Sequence, residues 1–246
     1  MSNSTRSNWF CKYKIAHRGL HNDTMPENSL PAFDNACNHG FAIELDVRLS
    51  KDGEVVIFHD YNLKRICGED VNLNTLTLDE LKNYQLCGTK HTIPTLKEAL
   101  KLINGRSPIV IELKPQKRKD HLEEKVYEIL KKYPHDIAIK SFNPISVLWF
   151  KKHAPEILRG MLAGSLEEIQ LPKLYKYIIN RLKFFNLIKP DFISYDFNDL
   201  PNKYVSSKNV PVLTWTIRSK EQEKQAFEFA NNVIFENYIP DSPTNY

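Results

Sequence analysis

The 246-residue sequence predicts a (β/α)8 barrel, in the α/β class of folds. Short β-branched runs alternate with helical patterns almost to the end of the chain, and this alternation favours βα units around a parallel sheet. No internal repeat or low-complexity linker interrupts the pattern. Because barrels of this kind often reach such a length undivided, we expect a single domain over residues 1–246.

The order of the strands supports the barrel. Nine strands are predicted, at 13–17, 42–48, 55–59, 109–113, 137–141, 158–163, 191–195, 211–217 and 232–236. Only six residues separate the second strand from the third, too few for a parallel crossover, and Asp52-Gly53 is a hairpin turn signal. We therefore expect 55–59 to be an antiparallel return that brings His59 back beside the second strand. The other eight strands form the barrel, with a small insertion over 61–93 at its C-terminal rim.

Helix boundaries carry their own signals. The predicted starts and ends are the capping boxes Thr95 with Glu98 and Ser165 with Glu168, the N-cap Asn143-Pro144, and the helix ends Gly40 and Gly105. The alternative to a barrel is an open, doubly wound sheet. The first strand is followed by His17-Arg18-Gly19-Leu20-His21, which lacks the glycine-rich phosphate loop that such a sheet favours.

The composition is that of a globular protein in a reducing compartment. The hydrophobic fraction is 41%, the charged fraction is 26% and the net charge is +4, without a basic run typical of nucleic-acid binding. The four cysteines have no C-x-x-C spacing, which indicates reduced thiols. Neither a signal-peptide pattern nor a membrane-length apolar run is present. We expect a cytoplasmic location and no nucleic-acid partner.

Three carboxylates are predicted to meet at the C-terminal rim of the barrel, where active sites of this fold lie. Glu44 and Asp46 are two residues apart on one strand, so their side chains share a face. Glu112 ends the next barrel strand and reaches the same rim. Taken singly, each carboxylate is more often part of a salt bridge. The three together favour a hard divalent cation, Mg²⁺ or Ca²⁺.

Two histidines and two cations flank this cluster. His17 and His59 both lie at strand ends, and imidazole can act as general acid or general base near neutral pH. Arg18 can donate two hydrogen bonds to phosphate oxygens, and Lys114 can place a positive charge beside them. Glu27 and Asn28 precede the first helix, where their simplest interpretation is a first-turn charge and an N-cap.

These residues together resemble the glycerophosphodiester phosphodiesterases. The shared motifs are His17-Arg18-Gly19, Pro26-Glu27-Asn28-Ser29, Glu44-x-Asp46-Val47, Lys51-Asp52-Gly53, His59-Asp60 with Leu63 and Arg65, Pro94-Thr95-Leu96-x-Glu98 and Glu112-Leu113-Lys114. Weaker similarity continues at Ser141-Phe142 and Thr214-Trp215-Thr216. The likeness spans nearly the whole chain and is highly specific in its N-terminal half.

The resemblance implies a TIM barrel that hydrolyses glycerophosphodiesters to glycerol 3-phosphate and an alcohol, with one divalent cation as cofactor. It assigns roles to residues of this chain: metal binding by Glu44, Asp46 and Glu112, acid–base catalysis by His17 and His59, and phosphate or substrate binding by Arg18, Lys114, Glu27 and Trp215. It also implies attack by the glycerol 2-hydroxyl and a cyclic phosphate intermediate. The insertion 61–93 is short for the family, so the lid over the substrate should be small. Glu236, near the last strand, receives no role.

Two alternatives stay open. A basic amphipathic helix over 171–189 could bring a lysophospholipase D or phospholipase-like enzyme to a membrane, although such a pattern is more often a barrel helix.

A non-catalytic barrel that binds phosphate esters is disfavoured because every expected acid, base and ligand is present. A nuclease is disfavoured because no aromatic and basic groove is apparent. The sequence fixes neither the alcohol, nor the choice between Mg²⁺ and Ca²⁺, nor the oligomeric state.

Overall fold

The computed structural model describes residues 8–116, 121–164 and 173–245. The strands in this part of the chain are β1 Ile15–Ala16, β2 Ala42–Leu49, β3 Val55–Ile57, β4 Ile109–Leu113, β5 Ile137–Ser141, β6 Leu158–Ala163, β7 Phe192–Asp196, β8 Val212–Ile217 and β9 Asn232–Phe235. The α-helices described are α1 Asn8–Lys12, α2 Leu30–Asn38, α3 Lys64–Cys67, α4 Leu78–Leu81, α5 Leu96–Ile103, α6 Leu122–Leu130, α7 Pro144–His153, α8 Lys173–Asn180, α9 Phe185–Ile188, α10 Lys203–Ser206 and α11 Lys220–Ala226.

The strand order confirms the predicted fold class. In the hydrogen-bonded sheet the order is β1-β9-β8-β7-β6-β5-β4-β2-β3, and β1 also pairs with β2. Eight parallel strands thus make a (β/α)8 TIM barrel, and β3 is the additional strand. By its internal contacts the chain divides into two compact units, Ala16–Ile137 (the first unit) and Met1–Ile15 with Ala138–Tyr246 (the second unit).

In the first unit, β2 pairs with β3 and β4 in opposite senses. It runs antiparallel to β3, with Val47 opposite Ile57, and parallel to β4. The hairpin between β2 and β3 turns at Gly53, whose φ of +79° is the left-handed backbone that glycine adopts without strain. The turn is closed by hydrogen bonds from the backbone N–H of Ser50 to the carbonyl of Glu54 and from Gly53 to Ser50. The predicted antiparallel return is therefore confirmed.

The insertion 61–93 shares one hydrophobic cluster with the β3 region. It contains α3, α4 and two 3-10 turns, and its apolar side chains pack on residues of the β3 region. The buried members of this cluster are Val56, Phe58, Leu63, Ile66, Leu73, Leu81, Leu86 and Ile93. Because Phe58 directly precedes His59, the insertion is anchored beside one of the predicted catalytic residues.

Three helix signals of the first unit, at Thr95 with Glu98, Gly40 and Gly105, act as predicted. Thr95 and Glu98 form a capping box at the start of α5, each side chain accepting a hydrogen bond from the other residue's backbone N–H. Gly40 and Gly105, with φ of +75° at each, follow the ends of α2 and α5. In the second unit Asn143 caps α7, its side chain accepting from the N–H of Ile145. The Ser165 and Glu168 capping box lies outside the described residues.

In the second unit, β5 to β9 form consecutive parallel pairs. The prediction of one helix over 171–189 is wrong for the described residues of this stretch, which form α8 and α9 separated by a turn at 181–184. Residues 171–172 lie outside the described part. Leu182 lies between these helices with φ of +52°, and its buried side chain packs with Ile179 and Ile188 in one apolar cluster. The break lets both short helices bury an apolar side. None of the described helices combines the length and apolar character that a bilayer crossing requires.

Candidate active site

Strand β2 places two acidic side chains on one face, and β4 supplies a third. Glu44 and Asp46 alternate with the buried apolar residues of β2, and the parallel register sets Asp46 opposite Glu112. One carboxylate oxygen from each of the three lies within 4.8 Å of the others, and all three residues are buried. Three buried carboxylates at this separation repel one another unless positive charge lies close to them.

Lys114 and Arg18 provide part of this positive charge. The Lys114 Nζ lies 2.7 Å from Glu112 Oε1 and 3.4 Å from Asp46 Oδ1, while Arg18 Nε lies 3.5 Å from Asp46 Oδ2. Burial by itself raises the pKa of Asp46, but Lys114, His59 and Arg18 outweigh it and hold that pKa well below its usual range. Asp46 is therefore ionised at neutral pH.

The loop after β1 is hydrogen-bonded onto β2 by Asn28. The Asn28 side-chain amide donates to Asp46 Oδ2 at 2.9 Å, and the Asp46 backbone N–H donates to Asn28 Oδ1 at 3.2 Å. Ser29, not Asn28, caps α2, because its hydroxyl accepts from the N–H of Ala32. The interpretation of Asn28 as an N-cap is wrong. Asparagine suits its actual position, where φ is +55°, because its side chain tolerates left-handed backbone.

Arg18 is fixed by contacts of both its backbone and its side chain. Its backbone N–H donates to Glu44 Oε2 at 3.1 Å, and its Nη1 donates to Glu27 Oε1 at 2.6 Å. The next residue, Gly19, has φ of +82°, and a Cβ there would lie 2.9 Å from the carbonyl carbon of Ala32. The close approach of this loop to α2 thus requires glycine and brings Arg18 to the carboxylate cluster.

The two predicted catalytic histidines follow strands of the first unit. His17 comes directly after β1 and is half-buried. His59 lies two residues after β3, its side chain is 33% exposed, and its Nδ1 lies 2.6 Å from Asp60 Oδ1. Arg48 holds the backbone carbonyl of His59 through Nε at 2.9 Å and Nη2 at 2.7 Å. Since Asp60 occupies Nδ1, any proton transfer by His59 would use its Nε2.

The second unit contains the remaining predicted contact, Trp215. This half-buried residue lies on β8, and its ring packs edge-on against Phe142, with centroids 6.0 Å apart. Its indole Nε1 donates no hydrogen bond to the described residues. Glu236, to which no role was assigned, is paired with Arg218, whose Nε lies 2.8 Å from its Oε1.

The carboxylate cluster suits a divalent cation. Its donors are all carboxylate oxygens, the type that Mg²⁺ and Ca²⁺ prefer. Asp46 Oδ1 is buried and accepts no hydrogen bond from the described residues, so this oxygen can coordinate an ion. Arg18 and Lys114 border the cluster and can contact a phosphate placed against it.

A sequence profile of the glycerophosphoryl diester phosphodiesterase family matches residues 17–240. The chain belongs to this family. It is accordingly a phosphodiesterase that acts on glycerophosphodiesters. The match begins at His17 and contains every residue predicted to bind metal or phosphate or to transfer protons.

Individual relatives are similar over most of their length. The chain is 32% identical to a glycerophosphodiester phosphodiesterase of Caldanaerobacter subterraneus subsp. tengcongensis, over 84% of this chain and 86% of that protein. It is 26% identical to a lysophospholipase D of Rattus norvegicus, over 93% and 84% of the two chains.

Solved structures of the family share the fold. A phosphodiesterase of Oleispira antarctica, in complex with the product sn-glycerol-3-phosphate, superposes with a TM-score of 0.76 at 28% identity, covering 91% of this chain and 92% of that chain. The glycerophosphodiester phosphodiesterase of Thermotoga maritima gives a TM-score of 0.71 at 26% identity, with coverage of 91% and 94%.

Two residues near His59 form ion pairs that the sequence alone did not predict. In the sequence Asp60 and Arg65 stand out only as parts of a motif, yet both belong to the ion pairs around His59 and Glu27. The available signal was an acidic residue directly after a candidate catalytic histidine, with an arginine five residues further on.

Proposed function

We propose that this chain hydrolyses glycerophosphodiesters to glycerol 3-phosphate and an alcohol, with one Mg²⁺ or Ca²⁺ held by Glu44, Asp46 and Glu112. The observation that carries the proposal is the buried triad, whose oxygens lie within 4.8 Å of one another. When bound, a divalent cation would polarise a phosphoryl oxygen and lower the pKa of the attacking hydroxyl.

The residues of the first unit would bind and orient the phosphodiester. Arg18 and Lys114 would contact the non-bridging phosphoryl oxygens, and Glu27 would fix the guanidinium of Arg18 through their 2.6 Å hydrogen bond. The family resemblance also implies that Trp215 binds substrate, and this role stays a prediction.

Hydrolysis would proceed in two steps, and each step would need two proton transfers. In the first step the glycerol 2-hydroxyl attacks phosphorus, the alcohol departs, and a cyclic phosphate forms. One of His17 and His59 takes the proton of the hydroxyl while the other protonates the departing alkoxide. In the second step water attacks the cyclic phosphate, the bond to the 2-oxygen breaks, and the histidines exchange roles. The products are the alcohol and glycerol 3-phosphate.

The test is release of glycerol 3-phosphate from glycerophosphocholine by the purified chain. We expect release that EDTA abolishes and that Mg²⁺ or Ca²⁺ restores. Release that is unaffected by EDTA would remove the metal from the proposal. No release with either ion, from a folded protein, would contradict the substrate.

A second candidate is a lysophospholipase D that acts at a membrane surface. Leu174 and Leu187 are exposed on α8 and α9, by 70% and 58% respectively, with Tyr177 exposed between them. The stretch 173–189 contains no acidic residue, and Lys183 and Lys189 are exposed within it. Exposed apolar side chains among basic ones are typical of helices that lie on anionic bilayers.

The two candidates differ in substrate and in surface binding. For the second, we expect faster turnover of lysophosphatidylcholine than of glycerophosphocholine, and sedimentation with vesicles that contain phosphatidylserine. The double variant with Leu174→Ser and Leu187→Ser should reduce lysophosphatidylcholine turnover and sedimentation with vesicles. Its hydrolysis of glycerophosphocholine should be unchanged. Equal sedimentation of this variant and the wild type would contradict the membrane role.

A further inference from the structure

Arg65 contacts two carboxylates that belong to different parts of the site. It lies on α3, at the start of the insertion 61–93. Its Nη1 and Nη2 donate to Glu27 Oε2 and Oε1, both at 2.8 Å. Its Nε donates to Asp60 Oδ2 at 2.7 Å, and Nη2 also reaches Asp60 Oδ1 at 3.2 Å. The planar guanidinium is thus held by four contacts.

Each of the two carboxylates in turn holds one residue of the proposed catalytic set. Glu27 Oε1 accepts from Arg18 Nη1 at 2.6 Å, and Asp60 Oδ1 lies 2.6 Å from His59 Nδ1. A continuous chain of alternating charges therefore runs Arg18–Glu27–Arg65–Asp60–His59, and we refer to it as the Arg18–His59 network. One end would bind phosphate, and the other would transfer a proton.

The main contribution of Arg65 is to the orientation of its partners, and its contribution to stability is small. Its side chain is 47% exposed, and a partly exposed ion pair contributes little to the free energy of folding. A bidentate guanidinium, however, fixes the direction of the carboxylates that it contacts. Its own backbone is well anchored, because Leu63 and Ile66 on either side are buried in the apolar cluster of the insertion.

We propose that Arg65 is a positioning residue that fixes His59 and Arg18 relative to each other through Asp60 and Glu27. The proposal rests on the proposed function, in which His59 moves a proton and Arg18 binds phosphate. In the network Arg65 contacts neither His59 nor Arg18 directly. Without Arg65, Asp60 would lose both of the hydrogen bonds that it accepts from the guanidinium. His59 would then lose its fixed tautomer.

The first test compares Arg65→Ala and Arg65→Lys with Arg106→Ala. Arg106 is the matched control, because its Nη2 makes a 2.6 Å ion pair with Asp34 on the surface, away from the network. We expect Arg65→Ala to lower kcat by about 10- to 100-fold and to raise KM, since small displacements of catalytic groups carry losses of this order. Added guanidinium should restore part of the activity of Arg65→Ala. Arg65→Lys should lie between wild type and alanine, and Arg106→Ala should match wild type.

The second test does not depend on turnover. The ¹⁵N chemical shifts of the His59 imidazole report which nitrogen carries the proton. We expect a single Nδ1-protonated form in the wild type and a mixture of tautomers in Arg65→Ala. Circular dichroism establishes that the variants are folded, and Arg65→Lys replaces Arg65→Ala in both tests if the latter is not.

The outcomes separate the two proposals. Wild-type kcat, KM and imidazole shifts in a folded Arg65 variant would overturn the positioning role. A wild-type chain that releases no glycerol 3-phosphate would overturn the proposed function alone. In that case the imidazole shifts still decide whether Arg65 positions His59, and unchanged shifts would overturn this inference as well.

Discussion

Asp46 and Glu112 lie directly opposite each other on the parallel strands β2 and β4, and the amine of Lys114 contacts both carboxylates. Opposed acidic residues on neighbouring strands destabilise a sheet when no cation is near. Here a lysine two residues beyond Glu112 faces the same side of β4 and supplies positive charge. The Asp46 and Glu112 pair therefore does not stabilise the sheet but belongs to the candidate metal site. The negative charge of the two carboxylates would favour binding of a divalent cation.

Replacing Glu44 by glutamine will weaken metal binding. The substitution keeps the shape of the side chain and removes one of three charged oxygen donors. We expect the concentration of Mg²⁺ or Ca²⁺ needed for half-maximal activity to rise by at least about 10-fold. The measurement is a titration of activity against each ion after EDTA treatment. Glu54→Gln is the control, because Glu54 forms an ion pair with Lys97 at the surface hairpin. Identical curves for Glu44→Gln and wild type would rule out Glu44 as a ligand.

Removing either histidine will abolish most turnover without unfolding the chain. His17 and His59 are both partly exposed at strand ends, so alanine leaves no large cavity. We expect each variant to lose about 10²- to 10⁴-fold in kcat, the usual contribution of a general acid or base. His153→Ala is the control, since His153 lies exposed at the end of α7. A variant at position 17 or 59 that retains near-full activity would remove that histidine from the mechanism.

Acid will destabilise the fold through Asp60 and Glu27. Burial raises the pKa of each carboxyl group, but His59 and Arg65 around Asp60, and Arg65 and Arg18 around Glu27, hold both pKa values below their usual range. Because the pKa of each group is lower in the folded than in the unfolded chain, folding is favoured by their ionisation. This stabilisation is complete above the unfolded values of about 4 and is lost as the pH falls below them.

The measurement is thermal unfolding of wild type and Asp60→Asn between pH 7 and pH 3. We expect the variant to have the lower Tm at pH 7. The difference should shrink towards pH 3, where the Asp60 carboxyl gains a proton in the unfolded chain while its lowered pKa keeps it ionised in the folded one. Asp34→Asn serves as the control, because its ion pair with Arg106 is exposed. A Tm difference for Asp60→Asn that stays constant with pH would contradict the assignment.

The fold was predictable because its signals are local. The short link at Asp52-Gly53 excludes a parallel crossover, and this alone identifies β3 as the surplus strand. The carboxylate triad was equally accessible, because side chains two apart on a strand share a face and the ends of barrel strands meet at one rim. The single-domain organisation over 1–246 stays a prediction.

The contacts that sequence reasoning missed are set by long-range geometry. Nothing local distinguishes an N-cap asparagine from one that bonds Asp46 eighteen residues away, so Asn28 was misassigned. Arg65 reaches Glu27 across 38 residues, a contact that exists only once the insertion has packed. The break at Leu182 likewise depends on which side chains the barrel buries. Periodicity reports which residues prefer burial, but it does not report their partners.

Asn28 should be required both for stability and for the geometry of Asp46. Its amide satisfies a buried carboxylate, and loss of a partner to a buried charged group costs about 1–3 kcal/mol or more. We expect Asn28→Ala to lower the free energy of unfolding in urea by at least that amount and to reduce kcat. Asn28→Gly separates the two causes, because glycine accepts the φ of +55° without strain and still lacks the amide. Asn38→Ala is the matched control, since Asn38 donates to Asp34 at the surface. If Asn28→Gly retained wild-type stability and activity, the hydrogen bond to Asp46 would be dispensable, and the left-handed backbone would be the only reason for asparagine at this position.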